Sequence, residues 1–286
     1  MANVKFRSKK RKERASNIIV YSILILISAV WLIPFLILII QSFSGGSGMA
    51  SNTIFPRRWT FNNYVRLFTE TKFLIWYGNT MLVSVVVTIV QTIIVLMTSY
   101  ALSRLRFKMR KPLMNIMLIL GMFPGFLSMT AVYFVLKEIN LTQNLFGLIL
   151  VYSASSAMQY YICKGFFDTI PKSLDEAARI DGASRHTVLV KIILPLAKPI
   201  IIYTILTAFI APWGEYMFSS FIMLGDSDKY TVAVGMKSWI DNSVLASDYF
   251  TVFCAAAVVV SIPITALFIW LQRYYVEGIT GGSVKG

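Results

Sequence analysis

The residues whose types and spacing could do chemistry are concentrated in one stretch, Glu176 to Pro195, which reads EAARIDGASRHTVLVKIILP. It holds two acids, three bases and the chain's only histidine, and long apolar runs flank it. His186 lacks what a general base needs, a nucleophile and an orienting partner at hand, so it reads as a surface contact. No zinc spacing and no catalytic pair of carboxylates accompanies it. The phosphate-cradling pattern G-x-x-x-x-G-K-[ST] is absent from the sequence, so a Walker-type ATP site is excluded. Glu215, in APWGEYMF, is the one acid set well inside an apolar run. Burying a carboxylate in a membrane costs at least about 2.5 kcal/mol unless it is paired or hydrated. Glu215 must therefore face a polar partner or a water-filled path. A proton relay is the sharper alternative, but no intramembrane base accompanies it. The chain is not expected to be an enzyme.

The charged stretch has the grammar of two short helices. Pro171 ends what precedes it. Ser173 with Glu176 three residues later has the form of a capping box. Asp175 and Arg179, four apart, are spaced to pair. Gly182 suits a left-handed turn. Ser184 can cap a second helix carrying Val188, Leu189, Ile192 and Ile193, and Pro195 and Pro199 precede the next apolar run. Acids beside the small residues Ala177 and Ala178 suit a cleft on another protein. The competing reading is a helix lying on lipid, which would favour Lys and Arg at these positions.

The elements that must hold this stretch are membrane helices. The 286 residues are 57% hydrophobic and 14% charged, where soluble domains carry about a quarter charged residues. Six runs reach the roughly 20 residues a bilayer crossing needs: 17–43, 78–102, 113–136, 144–166, 196–223 and 250–272. The expected fold is all-α and polytopic, because a lone span must satisfy its own backbone. The net charge of +14 does not point to nucleic acid, since 20 of the 27 Lys and Arg lie in 1–16, 103–112, 164–198 and 273–286. That is the bias expected of the cytoplasmic side, with both termini inside. The expected organisation is a basic N-terminus (1–16), a first helix with its outer loop (17–77), a core (78–273) holding the charged helix at 173–193, and a cytoplasmic tail (274–286). Cys163 and Cys254 fall in spans and read as packing residues.

Two further features carry alternatives. Ser153, Ser156 and Tyr160, with Gln159 beside them, form a polar stripe on the fourth span. It would either line a path for a polyhydroxylated solute or serve close helix packing. The outer loop after the fifth span, near 226–248, is a partner-binding segment or a lid on the protein's own surface.

Glu176, Ala177, Ala178, Gly182, Ile192, Leu194 and Pro195 stand at the spacing of the EAA motif, and the chain thereby resembles the permeases of ATP-binding-cassette importers. GMFPGFLSMTAVYFVL, KGFFDTIPKSLDEAARIDGA, KYTVAVGM and LQRYYVEGITGGSVKG are similar to the second permease subunit of maltose/maltodextrin-type importers. The resemblance implies a bacterial cytoplasmic-membrane protein that pairs with a second, homologous permease. It implies two ATPase subunits beneath, which bind the ATP and Mg, and an extracytoplasmic sugar-binding protein above. Glu176 and its neighbours would form a coupling helix in a groove of the ATPase. The tail, with Gly278, Gly281, Gly282 and Lys285, would reach between the ATPases, and Ser153, Ser156, Gln159, Tyr160 and Glu215 would be candidates for the sugar path.

Overall fold

The computed structural model describes residues 2–46, 55–223, 225–241 and 243–283. They form helices joined by short turns, with no strand among the described residues beyond one isolated bridge between Ser44 and Trp59. The chain divides into two compact units, Met1–Thr69 with Asn242–Val258, and Glu70–Asp241 with Val259–Gly286.

The first unit contains α1 (Ala2–Ser42), α2 (Asn62–Thr69) and the beginning of α14 (Ser243–Ser283). The apolar part of α1 is exposed on every side from residue 16 to 36 and becomes buried only at Gln41 and Ser42, as expected of a helix solvated by lipid or by another subunit. Its C-terminal end is finished by a buried side chain. The Asn63 amide donates to the carbonyls of Ser42 (2.9 Å) and Ser44 (2.8 Å) and accepts from the Thr251 hydroxyl (3.0 Å). These carbonyls would otherwise lack partners at a helix end.

The second unit is built around α3 (Phe73–Arg104). Its 32 residues span about 48 Å at 1.5 Å per residue, more than a bilayer core. Along one face run Thr80, Ser84, Val87, Gln91, Val95, Ser99 and Ser103, all buried. Small and polar groups on such a stripe let neighbouring helices approach closely. The helices that follow are α4 (Arg110–Met122), α5 (Gly125–Glu138), α6 (Leu145–Ala154), α7 (Ala157–Thr169), α8 (Lys172–Ile180) and α9 (Arg185–Val188). A π-turn (Leu189–Ile193) leads to α10 (Leu194–Leu196), α11 (Lys198–Gly214), α12 (Met217–Ile222) and α13 (Val232–Asp241). α3 packs against α6, α7, α11 and α13. One apolar cluster joins Val95 and Tyr100 of α3 to Cys163 and Phe167 of α7, Val188 and Ile193 after α8, and Ile200 of α11. A second joins Val83 and Val87 to Leu136, Leu148 and Ile222.

Three of the six apolar runs are continuous helices, Ser16–Ser42, Phe73–Arg104 and Leu245–Gln272. The other three are interrupted. α4 and α5 meet at 104°, α6 and α7 at 42°, and the stretch Arg185–Leu196 meets α11 at 82°. Each break has a local cause. Phe123 precedes Pro124 and is extended (φ −72°, ψ 129°), the conformation a following proline imposes. Ser155 leaves the helical region at φ −80°, ψ 58°. The 82° bend falls at Ala197 (φ −94°, ψ 13°), and the run expected at 196–223 is broken separately after Gly214, where Glu215 is extended (φ −78°, ψ 110°).

Candidate functional site

The charged stretch is a capped helix–turn–helix, but its caps differ in part from the sequence expectation. α8 starts at Lys172 with Pro171 in the capping position and no side-chain cap. Ser173 therefore lies inside the first turn, and the capping box with Glu176 does not form. Pro171, with its fixed φ, takes the capping place two residues ahead of Ser173. Asp175 does not take Arg179 as its partner either. Its Oδ2 lies 3.3 Å from Nε of Arg104, at side-chain exposures of 15% and 3%. A shielded guanidinium outcompetes a solvated i,i+4 pair, which contributes only about 0.3–0.5 kcal/mol. Arg104 Nη2 also donates to the Ile170 carbonyl at 2.9 Å. One side chain thus fastens the end of α3 to the end of α7 and to α8.

The turn itself matches expectation. Gly182 has φ +84°. The Ala183 N–H donates to the Ala178 carbonyl (2.9 Å) and the Gly182 N–H to the Arg179 carbonyl (3.1 Å), the paired bonds of a Schellman motif. Ser184 then caps α9, its hydroxyl accepting from the Thr187 N–H at 3.2 Å. Upstream of Pro195 the helix widens into the π-turn, with the Leu194 N–H reaching the Leu189 carbonyl. Proline offers no N–H to the residue four back and crowds it, and a wider turn relieves both.

The motif residues divide between two faces. Ala178 and Leu194 pack against the apolar cluster with Val188 and Ile193, and Ile192 is half-buried. Glu176, Ala177, Gly182 and Pro195 are exposed. Ile180 is 86% and Leu174 41% exposed beside them. α8 is anchored on one side and presents acid, small and apolar groups on the other. His186 is exposed and close to no candidate nucleophile among its recorded contacts.

The membrane-buried polar residues are engaged with one another. Ser153 and Ser156 are buried. Ser156 Oγ accepts from Gln91 Nε2 (2.8 Å) and donates to the Ser153 carbonyl (3.2 Å), so the break between α6 and α7 is satisfied by a side chain from α3. Gln159 Nε2 donates to Thr207 Oγ1 at 3.0 Å, and the Tyr160 carbonyl accepts from Ser99 Oγ at 3.1 Å. Glu215 begins α12. Its Oε1 accepts from the Phe218 N–H (2.7 Å), and its Oε2 from the Ser219 N–H (2.9 Å), the Ser219 hydroxyl (3.0 Å) and the Tyr152 hydroxyl (2.7 Å). This carboxylate satisfies a helix start that would otherwise have orphan donors. Glu215 is thus drawn to Tyr152 and Ser219, Ser156 and the Tyr160 carbonyl to α3 and Gln159 to α11, while the buried Ser153 hydroxyl and Gln159 Oε1 have no hydrogen-bond partner among the described residues.

The segment after α12, near 226–248, packs on its own chain. Trp76 Nε1 donates to the Ser227 carbonyl (2.8 Å), Asn79 Nδ2 to the carbonyls of Asp228 (2.7 Å) and Tyr230 (3.0 Å), and the Val232 N–H to Thr80 Oγ1 (2.8 Å). Lys72 pairs with Asp228 at 2.7 Å. Cys163 and Cys254 are free and buried. Gly278, Gly281 and Gly282 lie within the unbroken helix α14, and Lys285 is outside the described residues.

Sequence reasoning missed Arg104, Gln91, Tyr152 and Ser219. Gln91 carried a usable signal, an amide in the middle of an apolar run. Arg104 was hidden inside a basic loop whose charges all read as topological.

Residues 94–281 match the family "Binding-protein-dependent transport system inner membrane component". The Maltodextrin transport system permease protein MdxG of Bacillus subtilis is 36% identical, over 95% of this chain and 97% of that protein. The Galactooligosaccharides transport system permease protein GanQ of Bacillus subtilis is 35% identical, over 93% and 94%. Among solved structures, a chain of a bacterial ABC transporter involved in the import of the acidic polysaccharide alginate aligns with a TM-score of 0.77 and 25% identity, covering 93% of this chain and 98% of that one.

Proposed function

The chain belongs to the family of binding-protein-dependent transport system inner membrane components, and on that premise we propose that it forms half of the path of an oligosaccharide importer driven through α8. It is a membrane-embedded sugar permease subunit of an ABC importer, a transport component without an ATPase site of its own. The proposed cargo is a maltodextrin, and the proposed companions are a second homologous permease, two ATPases and an extracytoplasmic sugar-binding protein.

The observation that carries the coupling role is the two-faced character of α8. Its inner face is fixed to α3 by Arg104–Asp175 and to the apolar cluster by Ala178. Its outer face leaves Glu176, Ala177 and Ile180 uncovered. An ATPase that grips this face more tightly in one of its own states shifts the permease toward the matching state. The rigid attachment passes that bias to α3, α7 and α11. The tail from Gly278 onward reaches toward the ATPases, and both termini are cytoplasmic in this reading.

The test is uptake by the full importer carrying Glu176→Ala or Gly182→Pro. Uptake should fall at least about tenfold, equivalent to about 1.4 kcal/mol of coupling, with the chain still inserted. Normal uptake with the ATPase bound would remove the lever. Deleting residues 278–286 should lower sugar-stimulated ATPase activity, and unchanged activity would remove the tail's role.

A second reading keeps the machine and changes the cargo, because the galactooligosaccharide permease is nearly as similar as the maltodextrin one. A binding screen of the cognate sugar-binding protein decides between them. Proton coupling through Glu215 is disfavoured by the four hydrogen bonds its carboxylate accepts as a helix cap. Uptake that requires ATP and survives a protonophore would dispose of it.

A further inference from the structure

We propose that the end of the second unit that bears α8 holds a binding pocket for the headgroup phosphate of an anionic phospholipid. A cavity of about 400 Å³ lies between the end of α3, the start of α4 and the α8–α9 turn. Six basic residues line it, Arg104, Arg106, Arg110, Lys172, Arg179 and Arg185, against two acids, Asp175 and Glu176. One of those acids is already engaged by Arg104. Among the described residues, Arg106, Lys172, Arg179 and Arg185 form no ion pair, and Arg110 acts on the Asp168 carboxylate only at longer range. So much unpaired positive charge around one cavity calls for an anion.

The kind of base fits the same ligand. Five of the six lining bases are arginines, and a guanidinium fork matches phosphate oxygens bidentately.

The position identifies the source of that phosphate. The cavity sits where one apolar span ends, at Arg104, and the next apolar segment begins, at Arg110. The loop between them exposes Phe107 (40%) and Met109 (55%) among its bases. Apolar groups interleaved with bases at a span's end suit acyl chains beside a charged headgroup, and basic pockets at helix ends on the cytoplasmic side hold such lipids. A free phosphate would have no use for the two apolar side chains. The inference rests on the proposed topology, which puts this end at the inner leaflet.

The experiment is native mass spectrometry of the full chain in detergent, titrated with short-chain phosphatidylglycerol, short-chain phosphatidylcholine and inorganic phosphate. Phosphatidylglycerol should bind about tenfold tighter than phosphatidylcholine, because nearby bases favour an anionic headgroup over a zwitterionic one. The double variant Arg106→Gln/Arg110→Gln, which removes no internal ion pair, should lose that preference with its unfolding temperature unchanged. Equal affinity for the two lipids, or an unaffected double variant, overturns the proposal. Inorganic phosphate that binds alone and displaces the lipid makes the ligand a free anion and overturns the lipid assignment. Loss of bound lipid when the ATPases assemble would put an acidic partner segment in the pocket and would overturn that assignment too. Labelling of a Ser173→Cys variant from outside intact cells would instead sink the topology, and with it the coupling reading, while leaving the affinities measured in detergent intact.

Discussion

The two ends of the second unit are finished in opposite ways. At the end taken as outer in the proposed reading, the segment from Ser227 to Asp241 is stitched to Lys72 and to Trp76, Asn79 and Thr80 of α3, and it buries Val232, Val234, Met236 and Trp239. At the other end, α8 has no buried residue and leaves Ile180 almost bare. Both segments connect long apolar helices and both carry acids and bases. One has satisfied its surface within the chain. The other is attached along one edge only, which is the bonding pattern of an element that completes itself against something else.

The largest expected effect tests the attachment of α8. Arg104→Ala would leave Asp175 without its counter-ion and the Ile170 carbonyl without its donor. Breaking a buried ion pair from one side costs about 3–5 kcal/mol, and the lower figure suits a carboxylate that keeps some access to water. Thermal unfolding of the purified chain should show that loss. A variant as stable as the parent would mean that α8 is held by its apolar contacts alone, and the contrast between the two ends would sharpen.

The next effect tests closure of the outer end. A Cβ on Gly235 would lie 2.0 Å from the Trp76 ring, and that ring is locked by its bond to Ser227 and its neighbour Trp239. Overpacking of this kind costs about 1–3 kcal/mol, so Gly235→Ala should lower the unfolding temperature and expose the outer segment to protease. If the variant keeps both, the segment is a loose lid, and the outer end resembles the other more than the hydrogen bonds imply.

These cases show where sequence was informative. Gly182 and Ser184 were readable because a Schellman turn and an N-cap depend on the residue itself. The partner of Asp175 was not, because Arg104 lies 71 positions upstream and only packing brings them together. Hydropathy located six apolar runs, but it cannot see that Ser155 and Ser156 interrupt one of them. The Ser156 hydroxyl at that break is bonded by Gln91, on another helix. Glu215 stood out as a buried acid, and its use followed from a break at Gly214 that hydropathy smooths over. The outer segment offered two readings at equal weight, and its hydrogen bonds to α3 favour the lid.

A smaller effect is expected at the start of α9. Ser184→Ala removes the acceptor for the Thr187 N–H, and loss of such a cap costs about 1 kcal/mol. Hydrogen exchange should rise from Arg185 to Val188 and little elsewhere. Protection unchanged there would mean that Val188, buried in the apolar cluster, holds the turn without its cap.

The smallest effect on stability should be Ile180→Ser, and it separates the two ends most directly. A side chain 86% exposed contributes almost no burial within the chain, so its removal should change the unfolding free energy by less than about 0.5 kcal/mol. If α8 is completed by the ATPase, the same side chain is buried in the complex, where a fully covered isoleucine is worth about 1.5–3 kcal/mol. Affinity for the ATPase should then fall about tenfold to a hundredfold. Pairing thermal unfolding of the isolated chain with ATPase binding to the same variant gives both numbers. A variant that is stable and binds normally would show that the exposed face of α8 is not the gripped one, however well the motif around it is formed.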